Sequence, residues 1–274
     1  MANEDAKSVV IPADIEEIVA APEDAAKPEA VEKVEQEVSL AAQRGLQDWV
    51  PKTELGRKVM KGEVTSINYI FQKGWTILEA EIVDFLLPNI ENDIILIGGS
   101  TGKGGGIRRI PGRRTARMHK SGRRFKTSCM AVVGNRDGYV GIGMGKAVDF
   151  RLAAAKAAKD AKLSIMPVQR GCGSWECGCR TLHTIPATVD GKSGSVRVKL
   201  MPAPKGVGLT VSDEAKKVLG LAGLKDVWIK SRGQTQSRVN HMHAVFNALQ
   251  NLNTKKFSDV AREKCAIKAG AALG

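Results

Sequence analysis

The sequence predicts an α+β protein of two compact units behind an acidic extension. Three observations carry this reading. Strand-like runs alternate with alanine-rich and amphipathic helical runs after residue 90, glycine-centred turns separate them, and the charge changes sign near residue 40. With 43% hydrophobic residues among 274, the chain can bury a real core, and its length allows two modest domains plus a tail.

Residues 1–40 hold eleven acids and three lysines, a local charge of −8. This segment is rich in Ala, Glu and Pro, and bulky core formers nearly vanish after Val19, so it is expected to be a disordered or transiently helical solubilising extension. Residues 41–90 read as a helical lead-in, with WVPKTELGRKV, TSINYIF and ILEAEIVDFLLP punctuated by Gly62, Gly74 and Pro88.

The first unit, residues 91–168, opens with a strand at Asp93–Ile97 and continues with one at Phe125–Asn135. Residues 98–124 between them are expected to form one long basic loop. Asn135-Arg136-Asp137-Gly138 is a turn signal leading into Tyr139–Gly145, a strand whose glycines admit close backbone approach. Asp149 then caps a helix through LAAAKAAKDAKL to Leu163, stopped before Pro167.

The second unit, residues 169–252, reads as strands in TIPATVD and SVRVKLMPA, a turn at Gly206–Gly208, a helix from Ser212 towards Gly220 and a short strand at Val227–Ile229. Val239, Met242, Phe246 and Leu249 mark the apolar face of a last helix. Residues 253–274 read as a C-terminal tail.

The composition points to a polyanion. Lys and Arg number 42 against 29 Asp and Glu, a net +13, and residues 41–274 alone carry +21. No acidic residue lies between Asp93 and Asp137, whereas Lys103, Arg108, Arg109, Arg113, Arg114, Arg117, Lys120, Arg123, Arg124 and Lys126 supply ten positive charges. Guanidinium forks among glycines suit phosphate oxygens, so RNA phosphate is the expected partner. Lys156, Lys159 and Lys162 form a basic stripe on the alanine-rich helix, with Lys146 near its start, and these extend the candidate RNA surface. Aromatics are only 4%, so base stacking cannot be the main mode of binding.

Other classes are excluded on detail. Gly98-Gly99-Ser100-Thr101-Gly102-Lys103 resembles a phosphate loop superficially, but Ile97 stands at the first glycine position and Gly104 where a magnesium-binding hydroxyl belongs. Gly141, Gly143 and Gly145 miss the dinucleotide spacing. The longest stretch free of charged residues, Val239–Thr254, is too polar to span a bilayer, and Glu4 and Asp5 stand where a signal peptide would be basic. The expected compartment is the cytoplasm, with no membrane partner.

Cys172, Cys177, Cys179 and His183 offer three thiols and an imidazole within twelve residues, the donor set of a tetrahedral Cys3His zinc site. The alternative is a group of reduced thiols with an ordinarily hydrogen-bonded histidine. A catalytic thiol is disfavoured because no third group is placed to orient His183. His241 and His243 fall on different helix faces and are expected to pack, Cys129 reads as strand core, and Cys265 carries no functional signal.

Five motifs carry a resemblance. SGRRFK (Ser121–Lys126), AVVGNRDGYVGIGMGKA (Ala131–Ala147), RGCGSWECGC (Arg170–Cys179), GSVRVKLMPAPKGVGL (Gly194–Leu209) and LAGLKDVW (Leu221–Trp228) resemble the universal small-subunit ribosomal protein S-five family. TELGR (Thr53–Arg57) and the cysteine stretch resemble its archaeal form, with the eukaryotic branch nearest. The resemblance implies a double-stranded-RNA-binding-like N-terminal domain and a C-terminal αβ domain of the S-five domain 2 type. It implies a non-enzymatic constituent of the cytoplasmic ribosome that binds small-subunit ribosomal RNA and neighbours ribosomal proteins S-four and S-eight. The resemblance also implies a position near the messenger RNA path and an influence on translational accuracy. Matched to the family motif, the RNA-reaching residues are Lys120, Gly122, Arg123 and Arg124. Many relatives outside the archaeal-like branch lack the cysteines, so a metal would stabilise locally. The competing reading is a free double-stranded RNA-binding regulator or assembly factor.

Overall fold

A computed structural model describes residues 49–101 and 107–270. The acidic extension and Lys103 lie outside the described residues. The lead-in forms three short helices, α1 (Glu54–Met60), α2 (Ile67–Lys73) and α3 (Ala80–Leu86). The Thr53 hydroxyl caps α1 by accepting from the Gly56 amide, and Gly74 ends α2 in the left-handed conformation that glycine adopts without steric cost. Val59, Ile67, Ile70, Ile82 and Val83 close a small core that also takes in Tyr139 and Ile165.

The first unit contains β1 (Glu91–Ile95), β2 (Gly98–Thr101), β3 (Ile107–Ile110), β4 (Arg113–His119), β5 (Gly122–Gly134), β6 (Tyr139–Ala147), α4 (Phe150–Leu163) and β7 (Met166–Pro167). Strand β5 is its spine. The C-terminal half pairs with β1 on one edge and β6 on the other, and the N-terminal half pairs with β4. Side chains alternate across β5: Cys129 and Ala131 pack towards α4, whereas Met130 and Val132 join the core of the second unit. Covered on both faces, Ser128–Gly134 is buried without a break.

The second unit comprises β8 (Gln169–Arg170), β9 (Val189–Ser193), β10 (Val196–Pro202), β11 (Leu209–Thr210), α5 (Asp213–Leu221), β12 (Val227–Arg232) and α6 (Arg238–Thr254). Its sheet has the order β11-β12-β10-β9. Val198, Leu200, Val218, Leu219, Val245 and Leu249 share one apolar core with Val132, Val140 and Ile142 of the first unit. Buried polar ties fix the same junction. Glu214 accepts from the Leu96 amide at 3.1 Å and pairs with Arg238, while Lys217 reaches Asp93 at 3.0 Å.

The glycines of β6 are explained by α4. A Cβ at Gly141 would stand 2.1 Å from the Ala161 carbonyl oxygen, one at Gly143 2.1 Å from the Ala161 nitrogen, and one at Gly145 2.2 Å from the Ala153 oxygen. The helix presents Ala153, Ala157 and Ala161 to this strand, so backbone meets backbone. The same device recurs at Gly191, whose Cβ would lie 2.1 Å from the Ala244 oxygen on α6.

Several expectations are corrected. Residues 98–124 are not one loop: β2 pairs with β3, and β4 returns through Lys120-Ser121 into β5. Gly122, at φ +106, closes a hairpin whose strands are cationic on both faces and so lack the apolar alternation that marks a strand. The first strand begins at Glu91, and the strand expected across Thr184–Asp190 begins only at Val189, beyond Pro186, which cannot donate to a ladder. Asp149 occupies the cap position by its backbone, with no side-chain capping bond. Beyond Thr254 the chain forms α7 (Asp259–Cys265) and β13 (Lys268–Ala269), which pairs with β8. His241 packs as expected, and burial together with Arg238 holds its pKa below the usual histidine value.

The glycine contact gives a direct test. Gly143→Ala should destabilise the chain by about 1–3 kcal/mol or more through overpacking against the α4 backbone. Gly178→Ala, with nothing within 4 Å of the added methyl, should be near neutral when both are measured by chemical denaturation.

Candidate nucleic-acid interface and metal centre

The hairpin β4–β5 projects beyond the sheet. Seven residue pairs, from Arg113↔Ser128 to His119↔Gly122, extend it roughly 20 Å at about 3.4 Å per residue. Period-two alternation puts Arg113, Arg117, Arg124 and Lys126 on one face and Arg114 and Arg123 on the other. On that second face the Arg114 guanidinium lies 3.8 Å from the Phe125 ring centroid and Arg123 5.5 Å, so one aromatic orients two cations. Lys120 sits at the exposed tip, and Gly122 supplies the positive φ of the return.

Arg117 stands directly opposite Arg124, a like-charged cross-strand pair that costs about 0.2–1 kcal/mol in isolation. Among the described residues no acidic side chain pairs with any hairpin cation. Arg108 and Arg109 are exposed on β3 beside it. Lys146 joins the same surface, because Ser128 pairs with Arg113 on one side and Lys146 on the other. Lys156 is exposed on α4, its Cβ 3.0 Å from the Cβ that Gly145 would carry.

The rest of the expected lysine stripe is only partly free. Lys162 is only 5% exposed at its side chain and pairs with Asp84 of α3 at 2.7 Å, and Lys159 faces Glu81 at 3.8 Å. Lys162 docks the lead-in, whereas Lys159 stays 69% exposed in a weak surface pair. Burial raises the Asp84 pKa above its ordinary value even with Lys162 alongside.

The second constellation lies between β8 and β9. The donor atoms of Cys172, Cys177, Cys179 and His183 all fall within 4.8 Å of one another. Cys179 Sγ is 3.6 Å from Cys172 Sγ, and Cys177 Sγ is 3.8 Å from His183 Nε2. Ligands on a tetrahedron with bonds of about 2.3 Å to sulfur and 2.0 Å to nitrogen stand roughly 3.6–3.8 Å apart. The cluster can hold a metal with little movement. A bond to Asp226 Oδ2 at 2.8 Å engages Nδ1 of the buried His183 ring and leaves Nε2 facing the thiols. Asp226 Oδ1 in turn accepts from the amides of Gly206 and Gly208 at 3.1 and 2.8 Å.

Asp226 corrects the reading that no third group orients His183. It lies 43 residues away in sequence, and no local signal could have pointed to it. A nucleophile–base pair still does not result: the Cys177–His183 separation is long for proton transfer, and burial pushes the Cys172 thiol up to about 11. A hydrogen bond from Thr181 lowers Cys179 to about 6. Three thiols and an imidazole with donor atoms within 4.8 Å of one another could hold a metal ion.

The fold with its basic hairpin defines an α+β protein whose first domain is double-stranded-RNA-binding-like. Family models for the ribosomal protein S5 N-terminal domain and the ribosomal protein S5 C-terminal domain match residues 108–169 and 191–264. Among curated relatives, the small ribosomal subunit protein uS5 of Methanococcus maripaludis is 46% identical over 225 residues, 82% of this chain and 92% of the relative. The uS5 proteins of Methanocaldococcus jannaschii (46% over 228 residues, 83% of this chain and 98% of the relative) and Nanoarchaeum equitans (47% over 208 residues, 76% and 89%) are similar. The chain belongs to the ribosomal protein S5 family, in its archaeal form. It is therefore a non-enzymatic protein.

Asp226→Asn should weaken cobalt(II) binding at the cysteine cluster by about 10- to 100-fold through loss of the anionic partner of His183. Cys265→Ser, outside the cluster, should leave it unchanged; the thiolate-to-cobalt absorption band reads both.

Proposed function

We propose that the chain is a structural constituent of the small ribosomal subunit in the cytoplasmic ribosome, anchored on ribosomal RNA by the β4–β5 hairpin. One observation carries the reading: cations line both faces of an exposed two-stranded arm and have no acidic partners among the described residues. Arg108, Arg109, Arg113, Arg114, Arg117, Lys120, Arg123, Arg124 and Lys126 neutralise phosphates, with Lys146 and Lys156 widening the contact at its base. Lys103, in the β2–β3 connection outside the described residues, joins them on charge alone. The likeness to archaeal uS5 proteins supports ribosomal proteins S4 and S8 as neighbours, a place near messenger entry and an influence on decoding accuracy. Rigid placement is the means, since a body held by its arm can favour one decoding conformation of the subunit over another.

Sucrose-gradient sedimentation of a native lysate tests this. Stoichiometric co-migration with small-subunit RNA that survives a high-salt wash is expected, and an Arg117→Ala/Arg123→Ala/Arg124→Ala variant should lose it while keeping its thermal stability. Release of the wild-type chain by the wash would instead indicate a free RNA-binding regulator or assembly factor.

We further propose that Cys172, Cys177, Cys179 and His183 bind one structural zinc ion, supported by the donor spacing and the Asp226-oriented imidazole. The ion would pin the segment between β8 and β9 to the β11–β12 side of the second unit. Metal analysis of native protein should find near-stoichiometric zinc, and its absence would refute the assignment.

A further inference from the structure

The outer face of the second unit's sheet carries a lattice of cations that the hairpin reading does not use. Strands β9 and β10 alternate buried and exposed residues, so Val189, Val196, Val198 and Leu200 enter the core while Lys192, Arg197 and Lys199 point outward. In the observed register Arg197 lies directly opposite Lys192 on one side and Arg232 on the other, and Lys199 lies opposite Lys230. Asp190, opposite Lys199, is the acid within this array. No salt bridge reaches any of the five cations among the described residues.

Like charges placed directly across a ladder oppose strand pairing, and here Arg197 has Lys192 on one side and Arg232 on the other, while Lys199 has Lys230 on one side and Asp190 on the other. The five cations, together with Asp190, line an open groove of about 470 Å³. Along a strand they repeat every second residue, about 6.8 Å, and across strands about every 5 Å. This is a two-dimensional grid of positive charge on a rigid sheet, suited to successive phosphates of a nucleic-acid strand. Partly buried Trp228 and Met201, paired with each other at the next row, border it with apolar surface.

We infer that this sheet face is a second RNA-binding surface, which holds a phosphodiester backbone apart from the strand bound by the β4–β5 hairpin. It rests on the reading of the chain as an RNA-binding protein. The chain then joins two RNA segments through one rigid body, because the two units share a core.

Binding of full-length protein to a small-subunit ribosomal RNA transcript, followed by anisotropy across a salt series, tests the inference. Lys199→Gln/Lys230→Gln/Arg232→Gln should weaken binding at least tenfold at physiological salt. The log–log salt slope should fall by about two to three, since each lost phosphate contact removes about 0.9. The melting temperature of the free variant should change little, because relief of the Lys199–Lys230 and Arg197–Arg232 repulsions offsets the lost Lys199–Asp190 attraction. If the triple variant does not fold, Arg232→Gln alone carries the test, with a slope change of about one. Unchanged affinity and slope, with the hairpin variant still defective, would overturn this inference and leave the RNA reading standing. A wild-type chain that does not bind the transcript would overturn both. Unchanged RNA binding with Lys199 or Lys230 crosslinked to a carboxylate of a neighbouring protein in assembled subunits would overturn it in favour of an acidic protein partner.

Discussion

The approach of α4 to β6 sets most of what surrounds it. Where Gly141, Gly143 and Gly145 face the helix, side chains are absent, and α4 settles its alanines directly on strand backbone. The intervening residues Val140 and Ile142 point the opposite way, into the core shared with the second unit. One strand therefore serves two interfaces, a thin one made of glycine and alanine and a thick one made of branched side chains. The depth at which α4 lies also brings Lys162 to Asp84, so the lead-in docks at a distance decided by the glycines. A bulkier strand would shift the helix and everything seated on it.

Charge is divided between two uses. Lys162, Arg170, Lys217 and Arg238 are largely buried and each has a carboxylate partner, joining elements far apart in sequence. Removing one member of such a pair leaves an uncompensated buried charge, so these cations belong to the architecture. The hairpin cations are exposed and, among the described residues, unpaired with acids, so they repel one another across the ladder. The division lets a chain of net charge +13 hold these four cations inside against carboxylates while its exterior stays strongly cationic.

The cysteine cluster ties a glycine-rich crossover to the unit that follows it. Backbone bonds between Gly171 and Thr184 close its base, while Cys172 donates its amide to the Cys265 carbonyl near the chain's end. Asp226 accepts from the amides of Gly206 and Gly208 and engages the His183 ring, so one buried carboxylate sets the tautomer and anchors a neighbouring turn.

Much was legible in the residues alone. Alternation in SVRVKL, the NRDG turn, the alanine helix and the five family motifs depend on local spacing, and spacing of two or 3.6 residues survives into three dimensions. The donor set at Cys172–His183 is equally local. The β2–β3 and β4–β5 hairpins were not legible, because strands cationic on both faces lack the apolar period that signals a strand. Nor was the loss of Lys162 to the lead-in, the pairing of β13 with β8, or the role of Asp226. By itself, the sequence determined the fold class, the basic character and the ligand types, since these follow from composition and short-range period. Only the tertiary structure decided which cations remain unpaired and which carboxylate orients the histidine, because those depend on contacts between residues tens of positions apart.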